Sequence, residues 1–243
     1  MRRKLLPYYG ERKSKIDMIV LHAVAFDIKE AIDSFSENEV SSHYIVAENG
    51  EIWQLVGEKR RARHAGVSYW RGIEDINSHS IGIEFCSKTL GQKNFSRAQI
   101  ASGVELIKKL VKKYKIKPEN IVGHSDVAPT RKPDPGKAFF WKELAKEGIG
   151  FWYDIADAKK MDNCSVGELL QIIGYDISDV HASVYAFCRR FLPQKVIEIK
   201  DVCELINNVG KADELLLQDK KFLQVLKAVA YKYVKESKTP CKI

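Results

Sequence analysis

Three residues of this 243-residue chain, His22, His124 and Asp134, have the types that hold a catalytic metal. Two neutral imidazoles plus one carboxylate make a three-ligand zinc site whose fourth position stays open for water, the catalytic rather than the structural arrangement. Zinc in such a site lowers the pKa of its water to ~7, giving a hydroxide-like nucleophile at neutral pH. Each histidine closes a short strand-like run, Ile16 to Leu21 and Asn120 to Gly123, so each side chain stands at a strand mouth. Asp134 lies in Lys132-Pro133-Asp134-Pro135-Gly136, where two prolines stiffen the backbone around the carboxylate and Gly136 releases it. Type and spacing leave a second reading open, in which each histidine is a polar group satisfied by its neighbours.

The elements that must position these residues follow from periodicity. Ile16 to Leu21 is an apolar, partly β-branched run of the kind found in a buried strand. Ile28, Ala31, Ile32 and Phe35 then recur at helical spacing. Ser42 to Val46 and Glu51 to Val56 flank Glu48-Asn49-Gly50, and Asn-Gly supplies the positive φ of a tight hairpin. Ser80 to Phe85 reads as a further strand in which Glu84 interrupts an apolar run. Ser96 with Gln99 can form a capping box, and Ile100, Val104, Ile107, Val111 and Tyr114 continue as one apolar helix face.

After roughly residue 155 strand-like runs stop and helical periodicity takes over through Glu236. Cys164 to Ile173 ends at Gly174, a natural helix stop. Val180, Val184, Phe187 and Phe191 form a second stripe, and Phe222, Leu226, Val229 and Tyr233 a third. The expectation is an α/β domain over residues 1–157, with a mixed central β-sheet flanked by helices, and a small all-α domain over residues 158–243.

Bulk composition narrows the class without naming it. With 45% hydrophobic and 30% charged residues the chain is an ordinary globular protein, not a disordered or collagen-like one. Its longest apolar runs fall far short of the ~20 residues that cross a bilayer, so no transmembrane segment is expected. The start Met-Arg-Arg-Lys has the charge of a signal peptide but no apolar stretch after it. Five scattered cysteines, Cys86, Cys164, Cys188, Cys203 and Cys241, offer neither a disulfide framework nor a cysteine zinc cluster. The net charge of +8 is spread over helix faces rather than gathered into a patch, and no nucleic-acid partner is expected.

Several strings occur in one order: Val40-Ser41-Ser42-His43-Tyr44, Asn49-Gly50-Glu51-Ile52, His64-Ala65-Gly66 leading to Trp70-Arg71-Gly72, Asn77 with Ser80-Ile81-Gly82-Ile83-Glu84, and Gly123-His124-Ser125-Asp126 followed by Lys132-Pro133-Asp134-Pro135-Gly136. Together they resemble the type 2 N-acetylmuramoyl-L-alanine amidases, the AmpD and AmiD branch related to peptidoglycan recognition proteins. The resemblance spans about residues 15 to 150 and implies one zinc ion held by His22, His124 and Asp134. It also implies Glu84 as general base and Lys132 as the cation that stabilises an oxyanion. His64, Trp70, Arg71 and Asn77 are expected to line the substrate groove, and His43 to be an outer partner or a buried structural histidine. His79 and His181 match no functional position. Ala23 and Arg63 depart from the family pattern, which commonly has a larger residue after the first ligand and a tryptophan before His64; both changes bear on the groove rather than the metal.

The tail carries its own resemblance. Leu169 to Ile177 and Ala186 to Phe191 are similar to the helical peptidoglycan-binding domain of AmiD-type enzymes, with Cys188 where glutamine is usual. A second reading makes the tail a cap that stabilises the catalytic part.

What the resemblance implies is a zinc hydrolase cutting the amide between the lactyl group of (anhydro-)N-acetylmuramic acid and L-alanine, with peptidoglycan or a muropeptide as partner. Its rival is a recognition protein that binds muropeptide without cutting it. Relatives of that kind typically lose a metal ligand, whereas His22, His124, Asp134, Glu84 and Lys132 are all in place here. The choice between anhydro-muropeptide and intact wall, and between periplasm and cytoplasm, stays open at this level: the wall-binding-like tail points to one compartment and the missing leader to the other.

Overall fold

A computed structural model of the chain describes residues 1–161 and 163–236, so Cys241 lies outside the described residues. In chain order the first half runs β1 (Arg2–Arg3), β2 (Tyr9–Glu11), β3 (Met18–Val24), α1 (Ile28–Glu37), β4 (Tyr44–Val46), β5 (Ile52–Gln54), β6 (Arg60–Ala62), α2 (Ile76–His79), β7 (Ser80–Cys86) and α3 (Arg97–Tyr114). The second half runs β8 (Ile121–Gly123), α4 (His124–Val127), α5 (Trp141–Lys146), α6 (Val166–Ile173), α7 (Val180–Phe191), α8 (Val202–Asn207), α9 (Glu214–Leu217) and α10 (Lys220–Glu236). Six strands form one mixed sheet in the order β1-β5-β4-β7-β3-β8. β3 runs parallel to both β7 and β8, β4 parallel to β7, and the β4–β5 hairpin is antiparallel. Gly50 takes φ +84° in the hairpin turn, as Asn-Gly predicts.

β3 is buried on both faces, which is why its sequence is nearly all apolar. Ile19, Leu21 and Ala23 share one face with Ile81, Ile83 and Phe85 of β7 and pack against α3. Met18, Val20 and His22 share the other with Ser80, Gly82 and Glu84. Met18, Val20 and Val122 on that second face enter the core built by the tail: Leu170, Ile173, Phe187, Phe222, Leu226 and Tyr233. A single sheet face therefore carries apolar packing at one end and His22 with Glu84 at the other.

Ser96 caps α3 by accepting the Gln99 N–H, but the box is not completed. Gln99 turns inward and donates to the Val46 and Cys86 carbonyls, satisfying two strand-end acceptors. The buried stripe of α3 is Gln99, Gly103, Leu106, Ile107 and Leu110, with Ile100, Val104 and Val111 flanking it half-buried. Its centre lies at Gly103, because the Phe85 ring occupies the space a side chain there would need; a Cβ would come 2.6 Å from that ring.

The three helical stripes of the tail form as α6, α7 and α10, with Gly174 at φ +129° stopping α6. Among the described residues they share a core with the first half. Trp70, Ile76 and Val127 from the first half lie in the same cluster, so α6, α7 and α10 extend the sheet's packing. The junction is sealed by charge as well. Asp126 of α4 and Arg190 of α7 form an ion pair at 2.7 Å, with side chains only 1% and 2% exposed. Asp126 also accepts the Tyr175 hydroxyl at 2.7 Å and the Gly123 N–H at 2.8 Å.

Removing one partner of a fully buried pair strands the other's charge, which costs about 3–5 kcal/mol. Arg190→Ala is accordingly expected to lower the unfolding free energy by roughly that amount in urea titration. A loss under about 1 kcal/mol would show that the pair does not hold the tail to the sheet.

Candidate active site and metal centre

Each of the three metal-type residues is placed by a different device. His22 projects from β3 next to Glu84 of β7, its partner in register. His124 is the first residue of α4, set by the Gly123 N–H donating to the Asp126 carboxylate. Asp134 sits in a loop whose backbone is tied to α4 by Ser125 N–H donating to the Asp134 carbonyl at 2.8 Å. Gly136, at φ +90°, lets the far side of that loop press on Gly91; a Cβ would meet the Gly91 carbonyl oxygen at 2.4 Å.

The three side chains converge. His22 Nδ1 and His124 Nδ1 stand 2.9 Å apart, and Asp134 Oδ2 lies 3.3 Å from the first and 3.1 Å from the second. His124 Nε2 is 3.2 Å from the Ala65 carbonyl, an acceptor, so that nitrogen carries the proton and Nδ1 presents its lone pair. His22 Nε2 lies 3.0 Å from His64 Nδ1 on the opposite side of its ring. Burial, reinforced by His124, lowers the His22 pKa from 6.5 to about 4, so the ring is neutral near neutral pH. Burial alone would raise the Asp134 carboxyl, yet His124 and His22 outweigh it and hold it well below the usual carboxylate range. Three acceptor atoms facing one point, with both outer nitrogens engaged, fit a cation of two-nitrogen, one-oxygen preference.

Glu84 Oε1 is 3.9 Å from His22 Nδ1. Burial, with the Asp134 charge second, raises its pKa well above the ordinary value, and Lys132 opposes the rise. A carboxyl tuned upward beside a metal position has the character of a general acid–base. His22, Glu84, His124, Asp134, Lys132 and His64 line one open cavity of about 460 Å3. Its rim is basic at Arg63 and Lys88, and apolar at Phe26 and Val40. Ala23, the other departure from the family pattern, lines it too. The opposite wall was not legible in the sequence: Val202, Cys203 and Ile206 of α8 reach the cavity from the tail.

Three of the four expected groove residues are elsewhere. Trp70 is fully buried, its Nε1–H donates to the Glu119 carbonyl at 3.0 Å, and its ring meets Tyr175 edge-on at 5.2 Å. It is a core residue of the sheet–tail junction. Arg71 donates to the Ile172 and Ile173 carbonyls at 3.2 and 2.9 Å, capping the end of α6. Asn77 is buried and accepts from the His64 and Ala65 backbone N–H groups at 3.1 and 2.9 Å. None of the three lines the cavity. An aromatic and an arginine near a site motif suggest sugar and carboxylate contacts, but here the tail claims both. His64 does line the cavity, and it also backs His22.

His43 is buried, and its Nδ1 accepts the Gly82 N–H at 3.0 Å. His79 pairs with Asp17 at 3.0 Å, and His181 lies 2.8 Å from the Ala212 carbonyl, both away from the cavity.

The N-acetylmuramoyl-L-alanine amidase family profile matches residues 12–137, over half the chain and every residue of the cluster. This chain belongs to that family. AmiD of Escherichia coli K12 is 41% identical over 187 residues, 67% of this chain and 68% of that protein. The solved structure of E. coli AmiD with anhydro-N-acetylmuramic acid-L-Ala-D-gamma-Glu-L-Lys superposes with a TM-score of 0.73 at 31% identity, covering 92% of this chain and 93% of that one. AmpDh3 of Pseudomonas aeruginosa, solved with an anhydromuramic pentapeptide, gives 0.75 at 28% identity, covering 95% and 96%. Both superpositions take in the helical tail as well as the sheet.

Buried neutral histidines are expected to make the metal-free protein sensitive to acid. Burial lowers His22 to about 4, and burial together with Arg12 lowers His43 to about 3, against 6.5 in the unfolded chain. Below 6.5 the unfolded state binds more protons than the folded one, so this stability is complete above 6.5 and is lost as pH falls toward 4. At about pH 5 the loss is of order 2 kcal/mol per histidine. Thermal melts of the metal-free protein should drop over this interval; a flat profile would contradict the burial argument.

Proposed function

We propose that the protein is a zinc-dependent N-acetylmuramoyl-L-alanine amidase acting on anhydromuramoyl peptides, the ligand class of the AmiD and AmpDh3 complexes. The observation that carries this reading is the convergence of His22, His124 and Asp134 in the cavity that also holds Glu84 and Lys132. Zinc fits the two imidazoles and one carboxylate, and when bound it supplies a Lewis acid and a water of pKa ~7.

The chain's own groups do the rest. Glu84, its carboxyl raised by burial, takes the proton of the attacking water and delivers it to the nitrogen of L-alanine as the amide bond breaks. Lys132 offers a positive charge to the lactyl carbonyl oxygen as negative charge gathers there. Arg63 and Lys88 at the rim suit the carboxylates of the stem peptide, and the apolar wall of Phe26, Val40 and Ile206 suits the uncharged sugar end. Atoms and charge balance: one amide and one water become a lactyl carboxylate and a peptide ammonium, the second water proton ending on the amine.

The test is mass spectrometry of anhydromuramoyl tripeptide incubated with the protein, with chelator, and with chelator followed by zinc. Release of free tripeptide, its loss with chelator and its return with zinc are expected. Glu84→Gln should retain bound zinc while the rate falls by about 10²–10⁴. Peptide that is bound yet left intact by zinc-loaded protein would replace the hydrolase with a recognition protein.

A further inference from the structure

Both histidine ligands are held from behind by one dipeptide. His22 Nε2 meets the His64 ring at 3.0 Å, and His124 Nε2 meets the carbonyl of the next residue, Ala65, at 3.2 Å. The backbone N–H groups of these same two residues converge on a single atom, Oδ1 of buried Asn77. Arg131 adds a second donor to the Ala65 carbonyl at 3.0 Å. We infer that His64 and Ala65, pinned by Asn77, form one outer clamp that sets the ring orientation and proton position of both histidine ligands. His64 and Asn77 are thus positioning residues for the metal. The clamp rests on the metal reading above.

The proton order follows from the partners. Ser80 Oγ donates to the Ile76 carbonyl at 2.6 Å, so it can accept from His64 Nε2 at 3.2 Å. That holds the His64 proton on Nε2 and leaves Nδ1 as a lone pair, which accepts the His22 Nε2 proton. His22 must then offer Nδ1 to the metal. Gly82 makes room for this ring: a Cβ there would stand 2.5 Å from His64 Cγ, so no larger residue fits between β7 and the clamp. The choice of acceptors matters chemically. An imidazole and a peptide carbonyl are both neutral, whereas a carboxylate behind either ligand would add negative charge and weaken the metal as an electrophile.

The test is zinc affinity measured by competition with a chromogenic chelator, alongside the melting temperature of the metal-free protein. His64→Leu should weaken zinc by roughly 10–100-fold, and His64→Gln, whose side-chain oxygen can accept from His22, should restore it to within a few-fold. Asn77→Ala, which touches neither ligand, should cost about tenfold. Should His64→Leu not fold, Ser80→Ala carries the test, with a loss of several-fold expected because the proton is no longer fixed on Nε2. In ¹⁵N spectra of zinc-loaded protein His64 should be a neutral ring protonated at Nε2. A His64→Leu or Asn77→Ala variant that is folded and binds zinc like the parent would overturn the clamp, as would a His64 ring protonated at Nδ1. A parent protein with no zinc affinity would instead overturn the metal reading itself, and the clamp with it.

Discussion

The Asp126 carboxylate is the constraint from which the rest of the architecture is hung. It is buried, it must be neutralised and hydrogen-bonded, and three groups from separate parts of the chain do so: Gly123 at the end of β8, Tyr175 after α6 and Arg190 on α7. Arg190 in turn donates to the Ile121 carbonyl and stacks over the Trp141 ring at 4.1 Å. The turn that presents His124 cannot shift without breaking these bonds, and the tail cannot leave without exposing an unpaired charge. The turn bearing His124, a strand end and a helical tail are therefore one mechanical unit.

Much of the fold was legible because its signals are local. The apolar run before His22, the Asn-Gly hairpin, the Ser96 cap and the three helical stripes each follow from a few neighbouring residues. What was illegible is decided by partners distant in sequence. Gln99 abandons its capping box because two strand carbonyls lie within its reach. Trp70 and Arg71 leave the groove because Tyr175 and the end of α6 arrive from roughly a hundred residues away.

The same division holds in the site. His22 and His124 stand out as histidines closing strand-like runs and Asp134 as a carboxylate between two prolines, but type alone left each a second reading, and the family motifs singled them out together with Glu84. The Ala65 carbonyl had no such signature, because every residue has one and only the fold aims it. The α8 wall was equally silent: Val202 and Ile206 read as ordinary helix residues until packing turns them toward the cavity that His22, His124 and Asp134 line. The tail, read from its own residues as a binder or a stabilising cap, also shapes the groove.

The division of one sheet face between packing and chemistry has an electrical consequence. Along the strand from His22 stand Val20 and Met18, packed with buried apolar residues of the tail into a region of low polarity. In front lies the open cavity lined by Glu84, Lys132 and Asp134. Charges placed on such a boundary are poorly screened on the inner side, so their field lines emerge toward the groove and toward whatever occupies it. The helical tail thus supplies part of the low-dielectric backing of that sheet face, so residues that never reach the cavity contribute to the field inside it.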